Sequence, residues 1–370
     1  MKKFALLPIS LAAAFALSAC GDDSSSGPDP TPASSAALSS DATPASSSGT
    51  EPAQVSSSDA TAPVSSSGIA PASSSDMLPP VSSAGEPVAS TVEWEMGSTG
   101  LPDLGCVLEP LSFGGGQKVT CGGEFMGNLI DDPAETFDIN AATYSSFVGI
   151  SSILAAIQPT DKAVFLMRHG DRTASTDVDG ILTGLGYEQA KSVGAKIAAN
   201  AAFANEPIVY WHSEVPRTLQ TCMGIAFGRG EATLKHVALK ELNGSWFEKD
   251  SERIKAIQDS IPGKSIYEVI SKWAYTDVFS DGYYDLNTRA QQFIDEIIVG
   301  KIAKENRISI AISHDQMIYP LVVFATQRTL EMKFYEDKSW LNFLAGIAVI
   351  VKADGSTKVI PVRGLDSGVQ

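Results

Sequence analysis

Ala163-Val164-Phe165-Leu166-Met167 runs straight into Arg168-His169-Gly170, five uninterrupted apolar residues followed at once by charge. A strand with one wet face alternates apolar and polar residues. A strand that is apolar throughout is covered on both faces, as in a sheet sandwiched between helices. This stretch therefore predicts a buried central strand, and its abrupt polar end marks an edge of the sheet.

The same pattern repeats on either side. Residues 207–211 and 308–312 read as further buried strands, and 237–239 as a shorter one. Residues 347–351 and 358–362 read as strands joined by the turn Asp354-Gly355. Between them, 186–200, 251–260, 265–273, 287–299 and 317–325 read as helices, and Pro216 opens one more at the first-turn position that proline favours. This alternation over residues 141–370 predicts an α/β fold, a three-layer α/β/α sandwich with a mainly parallel sheet. Ligands in such sheets sit beyond the carboxyl ends of the strands.

At those ends stand four polar clusters: Arg168-His169-Gly170-Asp171-Arg172, then His212-Ser213-Glu214 with Arg217, then Glu241, then Ser313-His314-Asp315. The chain has four histidines. Two of them, His169 and His314, directly follow buried strands with arginines nearby. His212 and His236 lack such support and read as structural or exposed.

This arrangement resembles the histidine phosphatase superfamily, which includes the phosphoglycerate mutases and the histidine acid phosphatases. The resemblance covers about residues 160–362 and implies a phosphoglycerate mutase-like fold. Leu166-Met167-Arg168-His169-Gly170 looks like the family signature at the end of the first strand. Ser213 to Arg217 with Thr218, Gln220 and Thr221 is similar to the mutase-type motif that carries a further phosphate-binding arginine. Leu182-Thr183, Gly186 and Ala190 resemble the opening of its first helix, and Ser313-His314 matches its second histidine. The resemblance implies His169 as nucleophile, with Arg168, Arg172, Arg217 and His314 lining a phosphate pocket. The residue types suit that chemistry. A neutral imidazole nitrogen can attack phosphorus and carry the phosphoryl group. Arginines present paired donors to its oxygens and stay charged. Neither a metal nor another cofactor is called for.

The leaving alcohol needs a proton, and two carboxyl groups compete to supply it. Asp315, directly after His314, resembles the acid-phosphatase branch. Glu241, in Leu239-Lys240-Glu241, resembles the mutase branch. Arg172 follows the first pattern and Ser213–Arg217 the second, so the chain mixes the two. Asp315 is preferred and Glu241 stays open. The expected activity is phosphate monoester hydrolysis through a phosphohistidine on His169. The alternatives are phosphomutase-type transfer, or a non-catalytic phosphate-ligand or surface-binding protein. Trp246, Phe247, Trp273, Tyr275, Tyr283 and Tyr284 are candidates either for a substrate wall or for core.

The N-terminal part sets the location. Lys2 and Lys3, a short apolar run from Phe4 to Leu17, and Leu17-Ser18-Ala19-Cys20-Gly21 read as a lipoprotein signal over residues 1–20. Lipidation at Cys20 implies a membrane partner and a cell-envelope location, with the outer membrane favoured over the inner by Gly21. Residues 21–90 contain eight Asp or Glu and no Lys or Arg among Ser, Pro and Ala. They read as a disordered stalk, since such a composition buries too little apolar surface to offset its ordering entropy. Residues 91–140 read as a small Cys-bearing β segment, a hairpin closed by a Cys106–Cys121 disulfide, which suits an oxidising compartment. Cys222 reads as a buried core residue. The net charge of −16 argues against nucleic acid as a partner and leaves a small phosphorylated substrate, captured by local arginines.

Overall fold

The computed structural model describes residues 90–93, 105–132, 135–173, 180–364 and 368–370. The expected signal, Cys20, and the stalk up to residue 89 lie outside the described residues.

Strand β1 (Ser90–Glu93) precedes a small antiparallel sheet of β2 (Cys106–Pro110), β3 (Gly116–Cys121) and β4 (Glu124–Ile130). Cys106 and Cys121 stand opposite each other in the β2–β3 register and are disulfide-bonded. The hairpin expected here is one strand longer. The run Met126-Gly127-Asn128 interrupts the apolar alternation that marks a strand, and β3 and β4 pair around an irregularity at Val119/Thr120. Val119, Cys121 and Leu129 make a small core, and Leu185 packs against it.

The chain continues through β5 (Val148–Gly149), α1 (Ile150–Ala156), β6 (Lys162–Arg168), α2 (Gly184–Ala199), β7 (Ile208–His212), α3 (Pro216–Arg229) and β8 (Thr233–Ala238). Next come α4 (Ser251–Ser260), α5 (Ile266–Thr276) and α6 (Leu286–Gln292). The last runs into a π-helical stretch (Phe293–Ile302) and the short α7 (Ala303–Glu305). Then β9 (Ile308–Ser313), α8 (Asp315–Ala325), α9 (Phe334–Asp337), β10 (Gly346–Val351) and β11 (Thr357–Arg363) complete the fold. Local chemistry sets several of these bounds. Thr183 caps α2 by accepting from the Gly186 N–H, and Asp250 caps α4 through the Arg253 N–H. Pro216 starts α3, and Gly230 ends it in the left-handed conformation.

Among the described residues the main sheet has eight strands in the order β1-β8-β7-β9-β6-β10-β11-β5. The central run β8-β7-β9-β6 is parallel, as is the β11–β5 pair. The β1–β8, β6–β10 and β10–β11 pairs are antiparallel. Helices cover both faces, and the pleat divides each strand between them. In β6, Val164 and Leu166 join the core under α5, the π-helical stretch and α8, while Ala163, Phe165 and Met167 join the core under α1, α2 and α3. This is why β6 carries no polar residue between Lys162 and Arg168. The fold is the α/β sandwich expected from the sequence, with a mixed sheet. Trp246, Phe247, Trp273, Tyr275 and Tyr283 are buried in the first of these cores, so these five aromatics pack the fold. No helix among the described residues is long and apolar enough to cross a membrane.

Candidate active site

Parallel register brings the two histidines together. Arg168 is paired with Ser313 at the ends of neighbouring β6 and β9, so the next residue of each strand, His169 and His314, leaves the sheet at the same level. The His169 N–H donates to the Ser313 carbonyl at 3.1 Å. The two imidazoles stand edge to face, with centroids 5.5 Å apart. Strand β7 lies on the other side of β9 and delivers Ser213, whose N–H donates to the Ile312 carbonyl at 3.2 Å. Helix α3 starts immediately after and carries Arg217 over both rings.

The hydrogen bonds fix the tautomers. His169 Nδ1 is 2.8 Å from the Gly170 carbonyl, which can only accept, so Nδ1 carries the proton. Arg217 Nε–H points at His169 Nε2 at 3.1 Å, so Nε2 offers its lone pair. The ring is 2% exposed. Burial, then the nearby His314, Arg168 and Arg217, hold its pKa well below the ordinary histidine value. His169 is thus a neutral imidazole with Nε2 facing the arginines. His314 is the complementary case. Its Nδ1 accepts from Arg217 Nη2 at 3.3 Å, and its Nε2 lies 2.9 Å from Ser213 Oγ. Burial and Arg217 push its pKa down to about 3.

Arg168 is clamped from several sides. Nη2 pairs with Asp315 Oδ2 at 3.1 Å, Nη1 donates to the Leu341 carbonyl, and the guanidinium lies 4.2 Å from the centre of the Phe343 ring. Its Nε–H is buried without a partner. A buried donor left unmet is costly, and an anion beside it would meet it. Arg172 lies in the loop that follows, bridged to Leu182, and its charge reaches His314.

The two carboxyl candidates separate here. Asp315 is buried beside His314. Its Oδ2 takes Arg168 and the Trp340 indole N–H at 3.1 Å, and its Oδ1 takes the Gln316 N–H at 2.8 Å. Burial pushes its pKa up, but Arg168, Trp340 and His314 outweigh that, and the net direction is down. Glu241 follows β8 at the same sheet edge, yet its Oε1 pairs with Lys301 Nζ at 2.8 Å while Oε2 is buried without a partner. The structure therefore brings His169, His314, Arg168, Arg217 and Asp315 into one cluster and gives the Glu241 carboxylate a partner in the helical layer. Asp171 serves the loop: its Oδ2 accepts from Thr183 Oγ1 at 2.6 Å. His212 and His236 bond to each other at 2.9 Å, and His212 Nδ1 donates to the Ser213 carbonyl.

The sequence reading missed Trp340, Leu341 and Phe343. Their signal was topological. They lie just before β10, which is antiparallel to β6, so they stand where β6 ends. A cleft of about 410 Å³, lined by Tyr144, Leu286, Val323, Arg328 and Lys358 among others, shares no residue with the cluster.

Residues 164–337 match the model of the histidine phosphatase superfamily (branch 1). No curated protein matches the chain. Among solved structures, phosphoglycerate mutase from Bacillus anthracis is similar at 17% identity, covering 55% of this chain and 93% of its own, with a TM-score of 0.37. Phosphoserine phosphatase from Entamoeba histolytica, in complex with 3-phosphoglyceric acid, is similar at 19% identity, covering 54% and 94%, with a TM-score of 0.32. The mycobacterial glucosyl-3-phosphoglycerate phosphatase is similar at 15% identity, covering 56% and 100%, with a TM-score of 0.35. The matched histidine phosphatase segment begins inside β6 and ends with α9. It includes His169, Arg217 and His314 and stops short of Trp340.

Proposed function

We propose that the protein hydrolyses phosphate monoesters through a phosphohistidine on His169. The observation that carries this reading is the His169 tautomer. With Nδ1–H spent on the Gly170 carbonyl, the lone pair on Nε2 is held among Arg168, Arg217 and His314. In the proposed reaction the phosphate takes the donors of Arg217 and the unmet Nε–H of Arg168. Nε2 then forms a bond to phosphorus as the ester oxygen leaves. The arginines offset the charge on the equatorial oxygens. A water molecule then attacks the phosphoryl group, the Nε2–phosphorus bond breaks, the Asp315 carboxylate takes the water proton, and phosphate leaves with Nε2 back in its starting state.

Asp315 is the proposed proton donor. In the free site it is ionised as the partner of Arg168. A phosphate dianion on the Nε–H of Arg168 offsets the charge that keeps it so, and burial then favours the protonated acid. The proton passes to the ester oxygen as that bond breaks. Glu241 is less suited, because its carboxylate is held by Lys301 in the helical layer, while that of Asp315 is held by Arg168 next to His314.

The purified protein is expected to release phosphate from a chromogenic aryl ester, with an acid-labile phosphoryl group trapped on His169. His169→Ala should lower the rate by about 10,000-fold or more. Full activity in that variant would remove the proposed nucleophile. The same proposal includes export and lipid anchoring at Cys20, supported by the order of charge, apolar run and Cys20-Gly21 in the sequence. Cys20→Ser should leave the membrane fraction, and its retention there would defeat the anchor.

A further inference from the structure

Asp315 Oδ2 is shared between two donors from different parts of the chain. One is Arg168 Nη2 and the other is Trp340 Nε1, each at 3.1 Å. The indole has little freedom to leave. Trp340 is 3% exposed. Its ring stacks on Tyr319 at 4.0 Å with 14° between the planes. The Tyr319 hydroxyl is itself bonded to Ser271 Oγ and the Met332 carbonyl. Tyr267 and Phe334 close over the indole at 4.8 and 5.8 Å. The Trp340 backbone exchanges two hydrogen bonds with Gln370, the last residue of the chain. Its successors turn to the other half of the ion pair: the Leu341 carbonyl and the Phe343 ring hold Arg168. One short segment thus fixes both the carboxylate and the guanidinium.

We infer that Trp340 is a positioning residue for the proton donor, holding the Asp315 carboxylate beside Arg168 and thereby setting the pH range over which the donor works. The inference rests on the reading of Asp315 as that donor. The charged and titratable groups facing Asp315 are Arg168 from β6, His314 from the β9–α8 junction and Trp340 from the segment before β10. Arg217 and Arg172 act on it through His314. Of these, the indole alone is a neutral, donor-only group that keeps its proton at every working pH. When the substrate phosphate offsets the Arg168 charge, the indole N–H remains on Oδ2. It then favours the carboxylate over the neutral acid and tempers the rise in proton affinity that burial produces. The direction is consistent with the free site, where burial raises the Asp315 pKa while Arg168 and Trp340 lower it.

The test compares pH profiles of kcat for Trp340→Phe and the unsubstituted protein on two esters. With an alkyl phosphate, whose leaving group needs the proton, the alkaline limb should move up by about one pH unit, with KM changed less than kcat. With a nitrophenyl phosphate, whose leaving group does not, the limb should stay in place. Unmoved limbs on both esters, or equal movement on both, would overturn the inference, because a purely structural role lowers both rates without that contrast. A second measurement does not depend on folding of the Trp340 variant. In Asp315→Asn, one indole N–H proton resonance should shift upfield by proton NMR. No indole shift would overturn the contact in solution. Asp315→Asn and Glu241→Gln on the same two esters keep the failures apart. If Asp315→Asn spares the alkyl ester, the donor assignment falls. If it abolishes that rate while Trp340→Phe leaves the limb in place, the Trp340 inference alone falls.

Discussion

Arg217 contacts both histidines, through Nε to His169 at 3.1 Å and through Nη2 to His314 at 3.3 Å. That two-pronged contact depends on the planar fork of a guanidinium, which a lysine ammonium cannot copy. In Arg217→Lys the charge persists but one histidine loses its donor, and the phosphate loses the paired contact. We expect kcat/KM to fall by about 100-fold, in the range for removing one transition-state donor. The loss should appear on activated and poor leaving groups alike, since the proposed role of Arg217 is to hold the phosphoryl oxygens and not to supply the leaving proton. Steady-state kinetics on both esters checks this, and a loss confined to the poor leaving group would contradict the role. At this scale the sequence was informative for residues borne on strand ends. Arg168, His169, His314 and Asp315 each follow an apolar run that locates them. Trp340 and Phe343 sit in a segment with no strand-like or helical pattern of its own, so their proximity to Arg168 became visible only once β10 was paired with β6.

The loop after β6 and the start of α2 are packed backbone to backbone. A Cβ on Gly186 would stand 1.9 Å from the Asp171 carbonyl oxygen, and one on Gly170 would stand 2.5 Å from the Gly186 carbonyl oxygen. Neither approach tolerates a side chain, which is the physical content of the glycines seen at these positions in the sequence. The loop is pinned further by side chains from both covering helices. The Asp171 N–H donates to Gln189 Oε1 at 2.8 Å, the Gly170 N–H to Thr221 Oγ1 at 3.1 Å, and the Leu182 N–H to Gln220 Oε1 at 2.9 Å. Gly186→Ala should therefore push the Gly170-Asp171 backbone, and with it the carbonyl that fixes the His169 tautomer. The expected cost is about 2–3 kcal/mol of stability together with a fall in kcat larger than the change in KM. Urea unfolding with parallel kinetics measures both, and a variant of unchanged stability and rate would refute the close packing. Elements were legible where periodicity and burial agreed, as in β6, β9 and α4. They were not where the chain departs from a regular period. The expected helix over 287–299 is an α-helix only to Gln292 before it widens into π-helical turns, and the β3–β4 pairing shifts register between Val119 and Thr120.

Over the whole molecule, the site draws its behaviour from burying ionisable groups in an otherwise acidic protein, and that has a consequence for stability. Burial, offset in part by the Ser213 carbonyl, lowers the His212 pKa from 6.5 to about 4, and burial with Arg217 lowers that of His314 to about 3. His169 shifts in the same direction. In the unfolded chain these side chains regain an ordinary value near 6.5. Between that value and the folded one, the unfolded state binds protons that the folded state refuses, so stability falls as pH falls through this window. Each histidine contributes a slope of about 1.4 kcal/mol per pH unit there. Glu248, whose pKa burial raises from its ordinary value of 4.5, works in the opposite sense from that value upward, so the steepest loss is expected in the upper part of the window. Thermal unfolding should thus show a midpoint that is level from pH 8 to 7 and declines from about pH 6.5 downward. His212→Gln tests the assignment at a histidine outside the proposed phosphate-binding residues. Its side-chain amide carries no charge at any of these pH values, so the slope between about pH 6 and 5 should drop by the share of one histidine. A slope identical to that of the unsubstituted protein would mean that His212 titrates alike in both states, and that the acid sensitivity arises elsewhere.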